Sequence, residues 1–299
     1  MRHLWILVVA SLALAACGGG GGSATGKVVF ARKGGIFSIG ADGKNPQRIL
    51  PENRSHPAYD PAWSPDGTKV AVSRDCGIWL VGSDANGLRE VAKPKVGGCA
   101  NEPAWSPDGS KLAFVRRATT SIRPGAIVVM RASGGAERAV SQHELTGHSP
   151  YDAFPSWSPD GKKIAFARAK LWDGEPPTVW VMNADGTGQH SFPQPKERAI
   201  TNMPSWSADG RKLAFGWLPT AVAGAVMHVY SSNADGTGWQ DMTKNPGPIG
   251  SRYPSWSPDG KKIAFIAVGV WVMDADGSHP NQLTTNLDDF APDYWQPRG

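Results

Sequence analysis

The sequence lacks three features that would place it in familiar functional classes. Its N-terminal apolar run, residues 4–13, is too short to cross a bilayer, which excludes a membrane-spanning segment there. Lysine and arginine form no block anywhere, although the formal net charge is +5, so a nucleic-acid partner is not predicted. No Gly-x-Ser-x-Gly elbow is present, which excludes the nucleophile of an α/β-hydrolase domain.

Metal-binding patterns are missing as well. The segment His143–His148 has one residue too many between its histidines for a zinc-protease helix and contains a glycine. The stretch Asp274–Gly277 begins like a calcium loop, yet residues 278–285 supply no acidic closing ligand. We therefore predict no catalytic residue, cofactor or metal ion. Metal ligands that come from different repeats would leave no spacing pattern in the sequence. The histidines after residue 16 are His56, His143, His148, His190, His228 and His279.

The N-terminus predicts export. A short basic start precedes the apolar run, and Leu14-Ala15-Ala16-Cys17 resembles the lipobox of bacterial lipoproteins. We expect residues 1–16 to be a signal peptide, residues 17–26 a lipidated Cys17 with a glycine-rich tether, and residues 27–299 the folded part. The chain would then be anchored to a bacterial membrane, in the periplasm or at the cell surface. The alternative is an ordinary signal peptide with an incidental cysteine.

One ten-residue motif recurs through the rest of the chain. WSPDGKKIAF occurs at Trp157–Phe166 and again at Trp256–Phe265, and near copies begin at Trp63, Trp105 and Trp206. Serine, proline, aspartate and glycine stand where a type I turn prefers them, so Ser-Pro-Asp-Gly predicts a hairpin turn. Successive repeat tryptophans lie 42, 52, 49 and 50 residues apart, which is the period of propeller blades.

Each repeat predicts four antiparallel strands. The strand after the turn alternates large and small apolar residues, as in Ile164-Ala165-Phe166, which is typical of a sheet packed on both sides. The chain begins with strands two to four of a unit and ends with a lone first strand near Tyr294. Joining these two fragments closes a ring and removes open sheet edges. We therefore predict an all-β, six-bladed β-propeller with four antiparallel strands per blade.

These repeats resemble the TolB-like propeller family, whose repeat reads P-x-W-S-P-D-G-x-x-I-A-F followed by an I-Y-x-M-x-x-D-G strand and turn. The resemblance covers about residues 26–297. It implies a propeller in which the repeated tryptophan, aspartate and glycine build turns and core. Some sugar lyases build a histidine and metal site on a related propeller, and this leaves a metal-assisted carbohydrate-active lyase or hydrolase as the alternative function.

The loops predict a binding face. The connections between strands two and three have 3, 3, 10, 10, 11 and 2 residues, so three adjacent units carry long ones. We expect this face to bind an envelope protein or a surface glycan without catalysis, and the protein to be monomeric. Long loops that are merely tolerated are the alternative explanation. The candidate residues are Arg117, Arg123, Trp172, Asp173 and Glu175 in the long connections, and Asp60, Glu102, Tyr151, Asp152, Asn202, Arg252, Tyr253 and Asp289 in the crossovers.

Cys76 and Cys99 are the only cysteines besides Cys17. Export takes the chain to a compartment where disulfides persist. Cys76 is predicted in the turn between strands two and three of its unit, and Cys99 in the crossover that leaves the same unit, on the same face. We therefore predict a Cys76–Cys99 disulfide, with two independent buried thiols as the alternative.

Overall fold

The computed structural model describes residues 11–13, 26–95, 98–118, 125–141, 150–170, 174–194, 199–244, 250–285 and 293–295. All regular elements in these ranges are β-strands. In chain order they are β1 (Ser11–Ala13), β2 (Lys27–Arg32), β3 (Gly35–Gly40), β4 (Gln47–Leu50), β5 (Ala58–Trp63), β6 (Lys69–Arg74), β7 (Gly77–Gly82), β8 (Arg89–Ala92), β9 (Gly98–Trp105), β10 (Lys111–Ala118), β11 (Gly125–Arg131), β12 (Arg138–Ala139), β13 (Tyr151–Trp157), β14 (Lys163–Ala169), β15 (Thr178–Asn183), β16 (His190–Ser191), β17 (Ala199–Trp206), β18 (Lys212–Pro219), β19 (His228–Asn233), β20 (Gln240–Asp241), β21 (Arg252–Trp256), β22 (Lys262–Ala267), β23 (Gly269–Asp274), β24 (Asn281–Gln282) and β25 (Asp293–Trp295).

The strands form a propeller, but the predicted arrangement of six separate four-stranded blades is wrong. The described residues form five hydrogen-bonded sheets, and only three of these have four strands: β5–β8, β17–β20 and β21–β24. One sheet has eight strands, because a parallel bridge between Gly125 and Tyr151 joins β9–β12 to β13–β16. Another sheet has five strands, in the order β1-β25-β2-β3-β4. The all-β class agrees with the sequence prediction.

The chain ends meet in this five-stranded sheet. Val28 of β2 pairs antiparallel with Trp295 of β25, so a C-terminal strand completes the sheet that the N-terminal strands begin. First strands of successive units also contact one another around a central axis, from β5 through β9, β13, β17 and β21 to β25 and back to β5. The contact between β25 and β5 closes this ring of strands.

The repeated turn has the same hydrogen bonds in every described copy. In Ser158-Pro159-Asp160-Gly161, the Asp160 carboxylate accepts from the Ser158 hydroxyl at 2.6 Å and from the backbone N–H of Lys162 at 3.0 Å. Gly161 has a φ of 68°, which favours glycine. The hydroxyls of Ser106 and Ser110 lower the pKa of the equivalent Asp108 to about 2. The aspartate therefore remains an ionised acceptor in the turn at neutral pH.

Neighbouring turns pack against each other around the disc. A Cβ on Gly161 would lie 3.4 Å from Cγ of Pro107 in the preceding turn, and one on Gly210 would lie 3.3 Å from Cγ of Pro159. The proline of one repeat thus covers the glycine of the next. The repeated motif therefore contributes to the packing between units as well as to its own turn. We call the side of the disc that carries these turns the turn face.

The core lies between the sheets. Phe114, Phe166, Phe215 and Phe265 are fully buried, and so are the alanines that alternate with them on the second strands. Both faces of these strands are therefore covered, as the alternation of large and small residues predicted. Trp157 packs with Ile164, Phe166 and Met182 in one cluster of this buried core.

The structure joins Cys76 and Cys99 by a disulfide, with 4.2 Å between their Cα atoms. Cys76 lies in the connection between β6 and β7, and Cys99 lies in β9 of the following unit. The backbone N–H of Ala100 also donates to the carbonyl of Cys76 at 2.9 Å. The disulfide and this hydrogen bond tie two successive units together.

Reducing the disulfide should lower the stability of the protein but leave it folded. The bridge closes a loop between two cysteines that are 23 residues apart in the sequence. In the chain-entropy model such a bridge stabilises by about 3 kcal/mol. Thermal melting with and without reductant measures the effect, and the double variant Cys76→Ser, Cys99→Ser is the control, because it should show no further loss on reduction. Two free thiols in the unfolded, unreduced protein would contradict the bridge.

Candidate binding site

The candidate residues belong to the side of the disc opposite the turn face. This side carries the connections between second and third strands and the crossovers between units, and we call it the connection face. Strands alternate in direction, so every second strand runs from the turn face to the connection face. Arg117, near the end of β10, and Arg252, at the start of β21, therefore both lie at the connection face.

In five first strands, β5, β9, β13, β17 and β21, the pairing with the second strand is irregular at the residue before the repeated proline. That residue has a positive φ: 50° at Asp60, 58° at Glu102, 55° at Phe154, 55° at Met203 and 57° at Tyr253. Register shifts in the pairing with the second strand mark the same positions. Such bulges re-aim a side chain out of the regular pleat. The repeat thus presents one side chain per unit at an equivalent place along the ring of first strands.

Asp60 and Glu102 occupy this bulged position, and their side chains link three units. The Asp60 Oδ2 accepts from the Ser73 hydroxyl at 2.6 Å and from the backbone N–H of Glu102 at 3.2 Å. Glu102 repeats the pattern, because its Oε2 accepts from the backbone N–H of Phe154 at 2.6 Å. Asp60 is 3% exposed and Glu102 is 2% exposed. Both predicted binding residues are therefore buried, and they join neighbouring units.

Arg117 lies between this buried network and solvent. Its guanidinium donates to the Glu102 carboxylate and lies 5.1 Å from the centre of the Tyr151 ring. The side chain is 19% exposed. A guanidinium held by a carboxylate and stacked on an aromatic ring loses little entropy when it makes a further contact. Arg117 and Tyr151, two of the predicted residues, are thus brought together.

Asp152 has a structural role. It is fully buried, and its two oxygens accept from Nε and a terminal nitrogen of Arg168 at 2.7 and 2.8 Å. The same guanidinium lies 4.7 Å from the centre of the Trp180 ring. The carboxylate therefore fixes a stacked arginine between β13, β14 and β15.

Tyr253 is buried, whereas its neighbour Arg252 is exposed. Burial raises the pKa of the Tyr253 hydroxyl, and the charge of Asp60 raises it further, against the opposing effect of Arg252 and Arg117. Tyr253 also meets the Phe154 ring edge-on, with 6.1 Å between the ring centres. Tyr253 thus fills the central region, and Arg252 remains available at the surface.

The remaining predicted residues divide between surface, interior and undescribed segments. Glu175 is exposed, and Asn202 is buried. The residues that lie outside the described ranges are Cys17, Arg123, Trp172, Asp173 and Asp289.

Sequence reasoning missed a series of stacked arginines. Arg74 lies 5.6 Å from the centre of the Trp79 ring, in the same relation as Arg168 to Trp180. Arg32 and Arg116 stand at the equivalent position of their strands and lie over Phe37 and Phe114. The signal was present in the sequence, because an arginine recurs two residues after the large apolar residue of the second strand in four successive units. These stacks stabilise sheets through cation–π contacts.

Sequence reasoning also missed an exposed apolar loop. Residues 219–227, Pro-Thr-Ala-Val-Ala-Gly-Ala-Val-Met, connect β18 to β19 on the connection face and contain no charged residue. Val222 is 58% exposed and Val226 is 39% exposed. Val268, in the equivalent connection of the next unit, is 52% exposed. We call residues 219–227 the apolar loop.

The histidines that the structure describes are dispersed. His56 Nδ1 lies 3.0 Å from Asp75, His228 Nδ1 lies 2.9 Å from Asp241, and His279 Nδ1 lies 2.8 Å from Asp274. Within the described ranges no group of three or more His, Cys, Asp or Glu side chains could hold a metal ion. His143 and His148 lie outside those ranges. Among the same residues, no helix is long and apolar enough to cross a membrane.

Comparison with known proteins identifies relatives of the fold. The family model of the TolB beta propeller domain matches residues 31–215. A protein described as TolB from Agrobacterium tumefaciens is 19% identical with a TM-score of 0.68, covering 89% of this chain and 91% of its own. TolB from Acinetobacter baumannii is 21% identical with a TM-score of 0.68, covering 87% of this chain, which spans only 63% of that protein. An oligogalacturonate lyase in complex with manganese is 12% identical with a TM-score of 0.60, covering 92% and 86%. No curated protein matches the sequence.

Proposed function

Because this chain belongs to the TolB beta propeller domain family, we propose that it is an exported, non-catalytic binding or scaffolding module of the bacterial cell envelope. Its partner is an envelope protein or a surface glycan, and it acts as a monomer anchored by a lipid on Cys17. Fold alone does not assign a function, because one fold supports many, so the proposal depends on the connection face.

One observation carries this proposal: three carboxylates of the connection face are buried within the fold, while Arg252 and the apolar loop present exposed side chains at the same face. Asp60, Glu102 and Asp152 are buried acceptors that join strands or units. Arg252 and the apolar loop lie at the same face and are exposed. Exposed arginines and apolar groups beside aromatic rings are typical of protein contact surfaces. A contact surface therefore fits this face better than a catalytic centre does.

The binding proposal predicts that an arginine on one face matters and an arginine on the other does not. Immobilised full chain is incubated with envelope extract that has been divided into protein and glycan fractions. Arg252→Ser should weaken binding about 5- to 30-fold, because interface arginines often contribute 1 to 2 kcal/mol. Arg211→Ser replaces another exposed arginine, on the turn face, and this variant should bind like the original chain. Equal binding by both variants would contradict the proposal, and so would manganese-dependent cleavage of the glycan fraction by the chain.

The anchor has its own test. Cys17→Ser removes the thiol to which the lipid would be attached, so the protein should move from the membrane fraction to the soluble fraction of fractionated cells. The unfolding curve of the released protein should match that of the original, because Cys17 precedes residues 27–299, which we expect to form the folded part. An unchanged membrane fraction would show that Cys17 does not hold the anchor.

A further inference from the structure

The apolar loop is exposed where an ordinary surface loop would carry polar residues. Val222 and Val226 together present two branched apolar side chains to solvent, and Val268 adds a third from the next unit on the same face. Water contact with such groups is unfavourable by about 25 cal/mol per Å² of apolar surface. Exposed apolar side chains on one face of a folded domain are typical of an interaction site.

The backbone beneath these valines is held in place. The N–H of Ala225 donates to the carbonyl of Val222 at 3.2 Å, and Trp217 at the base of the loop packs on Tyr230, with 4.9 Å between the ring centres. On the next unit, the Val268 carbonyl accepts from Trp271 Nε1 at 3.1 Å and from Gln282 Nε2 at 2.7 Å. The apolar side chains are therefore presented by a preorganised backbone, which lowers the entropic cost of binding.

Positive charge flanks this apolar surface. Lys244 and Arg252 border the crossover between the two units that carry the valines, and both are exposed. Among the described residues at this end of the first unit, the acidic Asp241 lies 2.9 Å from Nδ1 of His228. An acidic partner surface would complement these cations, and a basic one would be repelled.

The start of the first propeller strand indicates which way the connection face points. The carbonyl of Gly26 accepts from the N–H of Ala41 at 2.8 Å, and Ala41 belongs to a turn on the turn face. Gly26, which follows the segment that contains Cys17 in the sequence, therefore lies at the turn face. If the lipid is on Cys17, as proposed above, the connection face points away from the membrane that holds it. A bilayer is thus a poor candidate for the occupant of the apolar loop.

We propose that the apolar loop and Val268, flanked by Lys244 and Arg252, dock a protein whose contacting segment is acidic and inserts at least one apolar side chain. This inference rests on the proposed binding function and selects a protein over a glycan. Sugars are bound through hydrogen-bonding groups and flat aromatic rings, whereas exposed valines offer only apolar contact.

Photo-cross-linking in living cells tests the inference on the full chain. A photoreactive p-benzoylphenylalanine replaces Val222 in one variant and Leu88 in a matched control. Leu88 is also an exposed apolar residue, at 36%, but it follows a turn on the turn face. We expect position 222 to form an adduct with one protein and position 88 to form none. Mass spectrometry should place the adduct in a segment with net negative charge and an apolar residue at the attachment point.

Charge reversal provides the second arm. Arg252→Glu should lower the cross-link yield at position 222 about fivefold to tenfold, whereas Arg211→Glu on the turn face should not change it. An adduct with lipid, with a second copy of this chain or with a basic segment would overturn the inference, and so would equal yields from both positions. If Arg252→Ser still weakens binding of envelope extract while position 222 captures no protein, the binding function stands and this inference fails. If neither effect is seen, both fail.

Discussion

Replacing Glu102 with alanine is expected to lower the free energy of unfolding by about 3 to 5 kcal/mol, because breaking a buried ion pair leaves its partner uncompensated. Glu102 is 2% exposed, pairs with Arg117 and accepts from the backbone N–H of Phe154 at 2.6 Å. Its removal leaves a partly buried guanidinium without a carboxylate. It also leaves a backbone donor of the next unit without its acceptor.

Urea unfolding of the two proteins measures this loss. Glu52→Ala is the matched control, because Glu52 is an exposed glutamate, and its loss should change the unfolding free energy by less than about 0.5 kcal/mol. If Glu102→Ala is no more destabilising than Glu52→Ala, the carboxylate does not hold the units together. Glu102 would then be free to serve as a ligand-binding group.

Trp157→Ala should cost a similar amount for a different reason. Trp157 is 9% exposed and packs against Ile164, Phe166 and Met182 in the buried core. Removing a large core aromatic side chain loses its transfer free energy and leaves a cavity, which costs about 3 to 5 kcal/mol. Differential scanning calorimetry of the variant gives the loss, and Leu88→Ala, at an exposed position, should leave stability nearly unchanged. A melting temperature equal to that of the original chain would show that the repeated tryptophan is not a core residue.

Much of the fold could be predicted, because its information is local. Ser-Pro-Asp-Gly has the residue preferences of one turn type, and the alternation in Ile164-Ala165-Phe166 predicts a strand covered on both sides. Both features appear in the structure as expected. The number and size of the sheets could not be obtained in this way. The bridge between Gly125 and Tyr151 joins residues from different repeats, and no repeat period specifies such a contact.

The site was harder to predict, because the sequence places residues along the chain but not their side chains in space. Asp60 and Glu102 were expected at the surface as acidic crossover residues, yet the bulge before the proline buries them. The clue was the equivalent position in other repeats, which holds Phe154, Met203 and Tyr253. A position that is apolar in three units indicates an interior place, and an acid there predicts a structural hydrogen bond.

The apolar loop shows the reverse error. The sequence prediction favoured charged and aromatic side chains and assigned no binding residue within residues 219–227, which carry no charge. The structure places Val222 and Val226 in solvent, next to exposed cations that the prediction had only partly identified. Exposure depends on which neighbours reach a side chain, and that is fixed by tertiary packing.

The central claim is that this propeller meets its partner through the connection face, and hydroxyl-radical footprinting tests it most directly. The oxidation rates of Val222, Val226 and Leu88 are compared between the purified chain and the chain in intact cell envelopes. We expect the envelope to protect both valines, on the connection face, and to leave Leu88, on the turn face, as reactive as in the purified protein. Protection of Leu88 with unchanged oxidation of both valines would contradict it.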